Sequence, residues 1–513
     1  MGDILEYKPI TAVWEITMAC NMRCKHCGSS CKEPLPDELS TEEAVKLSQD
    51  IGDLGLKWIT LSGGEPLVRR DWPVIAQELT DNGVIPNMIT NGWLFNEDIL
   101  KKAEKAEVGT MAISLDGLKD THDYMRMNGS YDRIMNAFEL MEDSSITGGA
   151  ITTINTINMN ELEELKNVLI DKGVKLWQMQ IGLPMGNFVN HPELIIKPED
   201  VDRLINFAHD SLKDDIIIFP ADCIGYYNLK ELEVRRKAYP KEYDVTWKGC
   251  TAGKRSFGIL HNGEILGCTS IRDREYIEGN IRETPLREIW ENEDNFSWSR
   301  TMDKSKLGGL CNECIYGQIC LGGCPNTRLT MNGTIYSENS YCSYVVAMNK
   351  ALKWLEDIND FDTLKDMANN FTRAGDYQVA SMVLDKALSI TPNDTELLSL
   401  QGFISFMLGN YEKSRIVNEK ALSIAPDDAY LNKGMGLSLS KLGKLDEGMN
   451  YLNKAMDLAD ETYLDPYYDT AITLIEYGKY NDALGIIKKA TDKYPQFEPT
   501  ARSLRDMIRG VKQ

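Results

Sequence analysis

Three cysteines on one short loop constrain this chain more than any other feature: Cys20, Cys24 and Cys27, spaced C-x3-C-x2-C, with Cys31 just beyond. A four-thiolate zinc site is ordinarily assembled from two C-x2-C knuckles, and no second pair follows nearby. Three thiolates on one loop suit a cubane iron–sulfur cluster whose remaining iron stays open to a small molecule. The chain has 12 cysteines and only 5 histidines, which favours thiolate-only sites over imidazole ones. The opening MGDILEYKPITAVWEIT is broken by charges and is not expected to act as a signal peptide. No window nears the roughly 20 apolar residues of a membrane span. The expected setting is therefore cytoplasmic, with no membrane partner. Thiols stay reduced there and structural disulfides are rare, so metal or redox chemistry leads.

The cysteine loop follows a strand-like segment, Val13–Thr17. Beyond it, Ser40-TEEAVKLSQDIGDLG reads as an amphipathic helix with Ser40 as N-cap and Glu43 completing a capping box. Trp58–Leu61 is the next strand, and Ser62-Gly63-Gly64-Glu65-Pro66 lies at its end. Strands are expected again at Pro86–Thr90, Met111–Ser114, Thr152–Asn155 and Leu176–Ile181, with helical stretches such as Tyr131-DRIMNAFELMED between them. Repeated βα units imply a parallel sheet with helices outside.

C-x3-C-x2-C after the first strand and a GGE motif after the second resemble the radical S-adenosylmethionine (SAM) superfamily. His26 stands where an aromatic residue is common. The resemblance implies an α/β partial (β/α)6 barrel over residues 1–232, with ligands at the C-terminal strand ends as in full barrels. It implies a 4Fe–4S cluster on Cys20, Cys24 and Cys27, chelated by the amino and carboxylate groups of SAM. One electron then cleaves the sulfonium to a 5′-deoxyadenosyl radical. Gly63, Gly64 and Glu65 would meet the methionine amino group, the glycines letting ligand approach the backbone. Ser114 and Arg126, in SLDGLKDTHDYMRMNGSYDR, would hold the carboxylate, for which a planar guanidinium is suited. Thr90, Asn91 and Asn155 are further strand-end candidates, although such residues also cap turns. No acid or base catalyst stands out.

A second set of cysteines follows: Cys250, Cys268, Cys311, Cys314, Cys320, Cys324 and Cys342. Asn262-Gly263 inside Phe257–Cys268 predicts a tight hairpin that returns Cys268 towards Cys250. Cys311, Cys314, Cys320 and Cys324 alone could also make a zinc ribbon. All seven cysteines with their spacing together resemble the SPASM extension of radical enzymes, here expected over residues 233–360 as a small α+β domain. By that resemblance Cys250, Cys268 and Cys324 hold one auxiliary 4Fe–4S cluster, and Cys311, Cys314, Cys320 and Cys342 a second. That makes three clusters in all. Cys31 is left as a spectator, and Cys223 as a spectator or a distant fourth ligand of the first auxiliary cluster, which otherwise keeps an open iron.

Residues 361–513 repeat. Ala387, Ala421 and Ala455 recur at a fixed step, with Ala490 one residue late, and Gly375, Gly409, Gly443 and Gly478 keep step with them. The pattern resembles four tetratricopeptide repeats and a capping helix, an all-α solenoid whose groove often holds peptides. The net charge of −22 disfavours nucleic-acid partners and RNA modification.

The first expectation is a maturase of a ribosomally made peptide, forming a crosslink, thioether or related oxidation. The barrel starts near Val13, leaving no room for an N-terminal leader-binding module, so the repeats would recruit the precursor. Flavodoxin or ferredoxin would supply electrons. An anaerobic sulfatase-maturing enzyme is the alternative, weakened because Thr269 stands where that family has a catalytic Asp directly after the cysteine; Asp273 is out of register. A small-molecule cofactor synthase and a non-catalytic repeat scaffold are the others.

Overall fold

The structure is a computed structural model and describes residues 7–221, 223–239, 241 and 244–511. It divides into two compact units. One reaches to Asn312 and takes in Tyr316–Val346; the other holds Glu313–Ile315 and everything from Ala347 onward.

In the first unit, strands β1 (Thr11–Thr17), β2 (Trp58–Gly63), β3 (Ile85–Thr90), β4 (Thr110–Ser114), β5 (Thr147–Ile154), β6 (Leu176–Ile181) and β7 (Ile217–Pro220) run parallel, side by side in chain order. Helix α1 (Thr41–Leu54) follows β1, and α2 (Trp72–Asp81) and α3 (Glu97–Lys105) follow β2 and β3. Alternation along each strand sends one set of side chains under the helices, as Trp14 and Ile16 of β1 pack in one core with Leu47 and Ile51 of α1. The expected capping box is present: the Glu43 N–H donates to Ser40 Oγ at 3.2 Å, and the Ser40 N–H to Glu43 Oε2 at 2.8 Å.

All six expected strands occur. The seventh, β7, was not anticipated; its short apolar run lies between Asp215 and Pro220. The sheet also continues past β1. Strand β8 (Ser256–Ile259) pairs parallel with β1, and β9 (Glu264–Leu266) and β10 (Ile277–Asn280) extend it antiparallel. The expected hairpin is therefore β8–β9, with Leu260–Gly263 between the strands rather than a two-residue turn. Because β8 adds to the barrel sheet, no compact-unit boundary falls between residues 232 and 233.

The second unit is a row of helix pairs: Phe361–Arg373 with Tyr377–Ile390, Thr395–Met407 with Tyr411–Ile424, Ala429–Lys441 with Leu445–Leu458, and Asp465–Glu476 with Tyr480–Lys493. Glu498–Val511 follows. Ala387, Ala421, Ala455 and Ala490 are fully buried, and Gly375, Gly409, Gly443 and Gly478 turn each pair at φ between 69° and 80°. Helix Ser343–Glu356 belongs in part to this unit. Leu355 is buried in its core, and Met348, Ala351 and Ile358 pack against that core. The break between units thus precedes the expected 360/361 boundary.

Candidate active site

Cys20, Cys24, Cys27 and Cys31 lie on the loop from β1 to α1, at the C-terminal strand ends. The loop is pinned throughout. The Cys20 N–H donates to Lys32 O at 2.8 Å and the Lys25 N–H to Met125 O at 2.9 Å. After β6, Asn187 binds it twice, its N–H on Cys27 O at 2.8 Å and its Nδ2 on Cys24 O at 3.0 Å. Ser30 Oγ donates to Asn187 Oδ1 at 2.8 Å. Neighbouring Gly186 has φ 53°, and a Cβ there would fall 2.4 Å from Cys27 O.

Gly63 and Gly64 are pressed against the chain that leads into the cysteine loop. A Cβ on Gly63 would lie 2.2 Å from Thr17 O, and one on Gly64 2.1 Å from Ala19 O. The space that glycine leaves is filled by the chain leading into the cysteine loop, whose carbonyls accept from Gly64 N–H (2.7 Å) and Glu65 N–H (2.8 Å). Glu65 is fully buried, and its carboxylate accepts from Thr90 Oγ1 (2.7 Å), Leu67 N–H (3.1 Å) and Asn91 N–H (2.7 Å). Burial pushes its carboxyl above the ordinary range, opposed by those donors. In this geometry Glu65 ties β2 to β3. Asn155 likewise serves its own turn, its Oδ1 accepting from the N–H groups of Ile157 (2.9 Å) and Asn158 (3.1 Å).

Asn91 points to the cysteines, with Nδ2 at 2.7 Å from Asn21 Oδ1 and 4.0 Å from Cys20 Sγ. Arg126 reaches them too. Its Nη1 lies 3.8 Å from Cys24 Sγ, its Nη2 3.3 Å from His26 Nε2, and its Nε donates to Asp116 Oδ2. Ser114 closes β4 nearby in sequence and is buried.

Asp116 was missed from sequence, where it reads as part of an SLDG turn. It is fully buried, faces His26 Nε2 at 3.1 Å and accepts the Thr153 N–H at 2.8 Å. Burial alone would raise its carboxyl, yet Arg126 and His26 hold it far below the usual range. Arg272 was also missed. It donates to Glu15 and, at 2.7 Å, to Ser29 Oγ, joining the segment after Cys268 to the first cysteine loop. Cys31, buried on the same loop, hydrogen-bonds Cys27, which lowers the Cys27 thiol below its ordinary value.

Of the later cysteines, Cys311, Cys320 and Cys342 are buried in one apolar cluster with Tyr226 and Trp247, and Cys324 packs against it. Cys268 packs beside Trp298 and Leu329, and Cys250 shares a small cavity with Lys254 and Arg328. Cys223 packs against the main core. Among the described residues no three Cys, His, Asp or Glu side chains converge as a single ion requires; a cubane spreads its thiolates over separate irons. The donor set fits clusters. Burial pushes the Cys24 thiol up to about 11 and raises those of Cys268 and Cys342, so buried thiolates here call for cationic charge, which iron brings.

Models of known families match in the expected order: the radical SAM superfamily over residues 14–169, an iron–sulfur cluster-binding (SPASM) domain over 250–315, and a tetratricopeptide repeat over 428–462. An AdoMet-dependent heme synthase of Methanosarcina barkeri is 30% identical over 349 residues, covering 66% of this chain and 97% of that protein. Mycofactocin maturase MftC of Mycolicibacterium smegmatis is 25% identical, covering 62% and 78%. Streptococcus suis SuiB, solved with S-adenosylmethionine, shares the fold with TM-score 0.53 at 17% identity, covering 66% and 78%. The cysteine loop after β1, the glycine pair after β2 and these matches together show that the chain belongs to the radical SAM superfamily, as an enzyme carrying a SPASM domain and tetratricopeptide repeats.

Proposed function

We propose that this enzyme is a maturase that modifies a ribosomally made peptide by crosslinking, thioether formation or a related oxidation, with its repeats recruiting the precursor. One observation carries the reading: the catalytic elements share a chain with a repeat array holding an open cleft of about 410 Å³. Asn369, Glu396, Leu400, Asp428 and Tyr430, from three successive helix pairs, line it. Mixed polar and aromatic lining along a solenoid suits an extended peptide. SuiB, a structural neighbour, has also been solved with its precursor peptide SuiA.

We assign three 4Fe–4S clusters, on Cys20, Cys24 and Cys27; on Cys250, Cys268 and Cys324; and on Cys311, Cys314, Cys320 and Cys342. When bound, the first cluster and SAM supply one-electron cleavage and a hydrogen-abstracting radical. The chain's residues do the positioning. Arg126 and Ser114 receive the methionine carboxylate, Asp116 and His26 fix the Arg126 fork, and Asn91 orders the Cys20 side of the loop. Glu65 and Asn187 hold the loop still. A flavodoxin or ferredoxin provides electrons.

The test is anaerobic co-expression with each short open reading frame beside the gene, against a Cys24→Ala control. A peptide that loses two hydrogens only with the intact enzyme is the expected product; no modified peptide from any frame overturns the reading. A small-molecule synthase acting on a tetrapyrrole is the second reading, favoured because the heme synthase aligns over 97% of its length. Conversion of an iron porphyrin by the purified enzyme, with every peptide untouched, would establish it instead.

A further inference from the structure

Arg328, on helix Pro325–Asn332, is among the largest fully buried side chains of the protein. A buried guanidinium ordinarily meets a carboxylate. Among the described residues Arg328 has none. Its Nη1 donates to Ile335 O and its Nη2 to Leu321 O at 3.2 Å, and its Nε is buried without an acceptor. Burial works against its charge, and the groups that favour the charge are Cys311, Cys324, Tyr226 and Cys320.

The backbone is shaped around this cation. Leu321, Gly322 and Gly323, between Cys320 and Cys324, all have positive φ (53°, 79° and 67°). A Cβ on Gly322, at φ 79°, would lie 2.9 Å from Arg328 Cζ, so the loop closes directly on the guanidinium. Cys250 and Arg328 also line the same small cavity. The cation therefore sits in the loop that joins a ligand assigned to one auxiliary cluster with a ligand assigned to the other.

We propose that Arg328 is a shared counter-ion of the two auxiliary clusters, a positioning residue that sets their reduction potentials. This rests on the cluster assignment above. A thiolate-ligated 4Fe–4S cluster is anionic and gains a further negative charge on reduction, so a fixed buried cation favours the reduced form and raises the potential. An acid-paired arginine would have its charge largely cancelled; this one does not.

The experiment is an EPR-monitored redox titration of reconstituted holoenzyme, wild type against Arg328→Gln and Arg328→Lys, with iron and sulfide content measured on each. In R328Q loaded with full iron, both auxiliary couples are expected at more negative potentials. The couple of the cluster on Cys20, Cys24 and Cys27 stays in place, and R328K lies between the two. Unchanged auxiliary couples in fully loaded R328Q overturn the proposal. A shift of all three clusters alike overturns it too. Loss of auxiliary iron alone is a failure of loading and moves the test to the unaltered protein. There, 15N-arginine labelling is expected to give a 15N hyperfine coupling on the reduced auxiliary clusters that R328K lacks, and its absence from wild type overturns the proposal. Absence of auxiliary clusters from wild type would instead overturn the underlying assignment.

Discussion

Glu65 is a buried acid that braces the turns after β2 and β3. Its two carboxylate oxygens take one hydroxyl and two backbone N–H donors from the turns after β2 and β3. In Glu65→Gln an NH2 must face a donor, leaving buried groups unmet at a cost of about 1–3 kcal/mol. The expected outcome is a lower Tm and less iron in the first cluster; an unchanged Tm would remove Glu65 from this role. His122 makes a pH prediction. Its Nδ1 accepts the Asp116 N–H at 3.0 Å and its Nε2 shares a bond with Ser130 Oγ. Burial, then the charge of Arg126, pull its folded value down from 6.5 to about 4. The unfolded chain therefore takes up the proton first. Stability from this residue is full above pH 6.5, falls as pH drops towards 4, and changes no further below. The loss reaches about 3 kcal/mol at most. His122→Asn keeps an acceptor but cannot titrate, so its Tm should fall less steeply than wild type between pH 6.5 and 4. Parallel curves would sink the argument.

At the scale of elements, the cysteine loop is a graft held by contact rather than by its own propensity. Gly64→Ala would drive a methyl into the Ala19 carbonyl, and strand β2 cannot retreat because it pairs on both sides. Gly28→Ala, on the loop itself, would place its Cβ an ordinary 3.7 Å from Met185 Cβ. We expect G64A to lose cluster iron and stability and G28A to keep both, read by iron content and thermal unfolding; equal behaviour would contradict the packing account. The contrast also explains what could be read beforehand. Strands β1 to β6 announce themselves by local alternation and by the motifs at their ends. Asp116, Asn187 and Arg272 do not, because each matters through a partner far away in the chain: His26, Cys27 and Glu15. Local pattern shows that a polar residue ends a strand, while only the closed sheet decides what it meets. Likewise β8 is visible as half of a hairpin, but its pairing with β1 depends on which edge the barrel leaves open.

For the whole molecule, the sharpest question is where the catalytic unit ends and the repeat array begins. Composition turns helical near residue 361, which is what made that position look like a boundary. Helix Ser343–Glu356 bridges the change instead, with Leu355 buried, and Met348 and Ala351 packed, against repeat side chains. A chain stopped at residue 360 bares that apolar stripe, and exposed stripes promote self-association. We expect this truncation to self-associate in light scattering, and the same truncation carrying Met348→Lys and Leu355→Glu to be monodisperse. Both should still form 5′-deoxyadenosine from SAM on reduction, because the residues assigned to that step all precede the cut. Neither should bind the precursor peptide proposed as substrate. Retained precursor affinity in the monodisperse truncation would place recognition within the barrel and cluster region, and the repeats would then need another partner. Loss of 5′-deoxyadenosine despite intact clusters would mean that the array does more than recruit: it would have to bias the catalytic unit itself, through a coupling that a binding module alone does not supply.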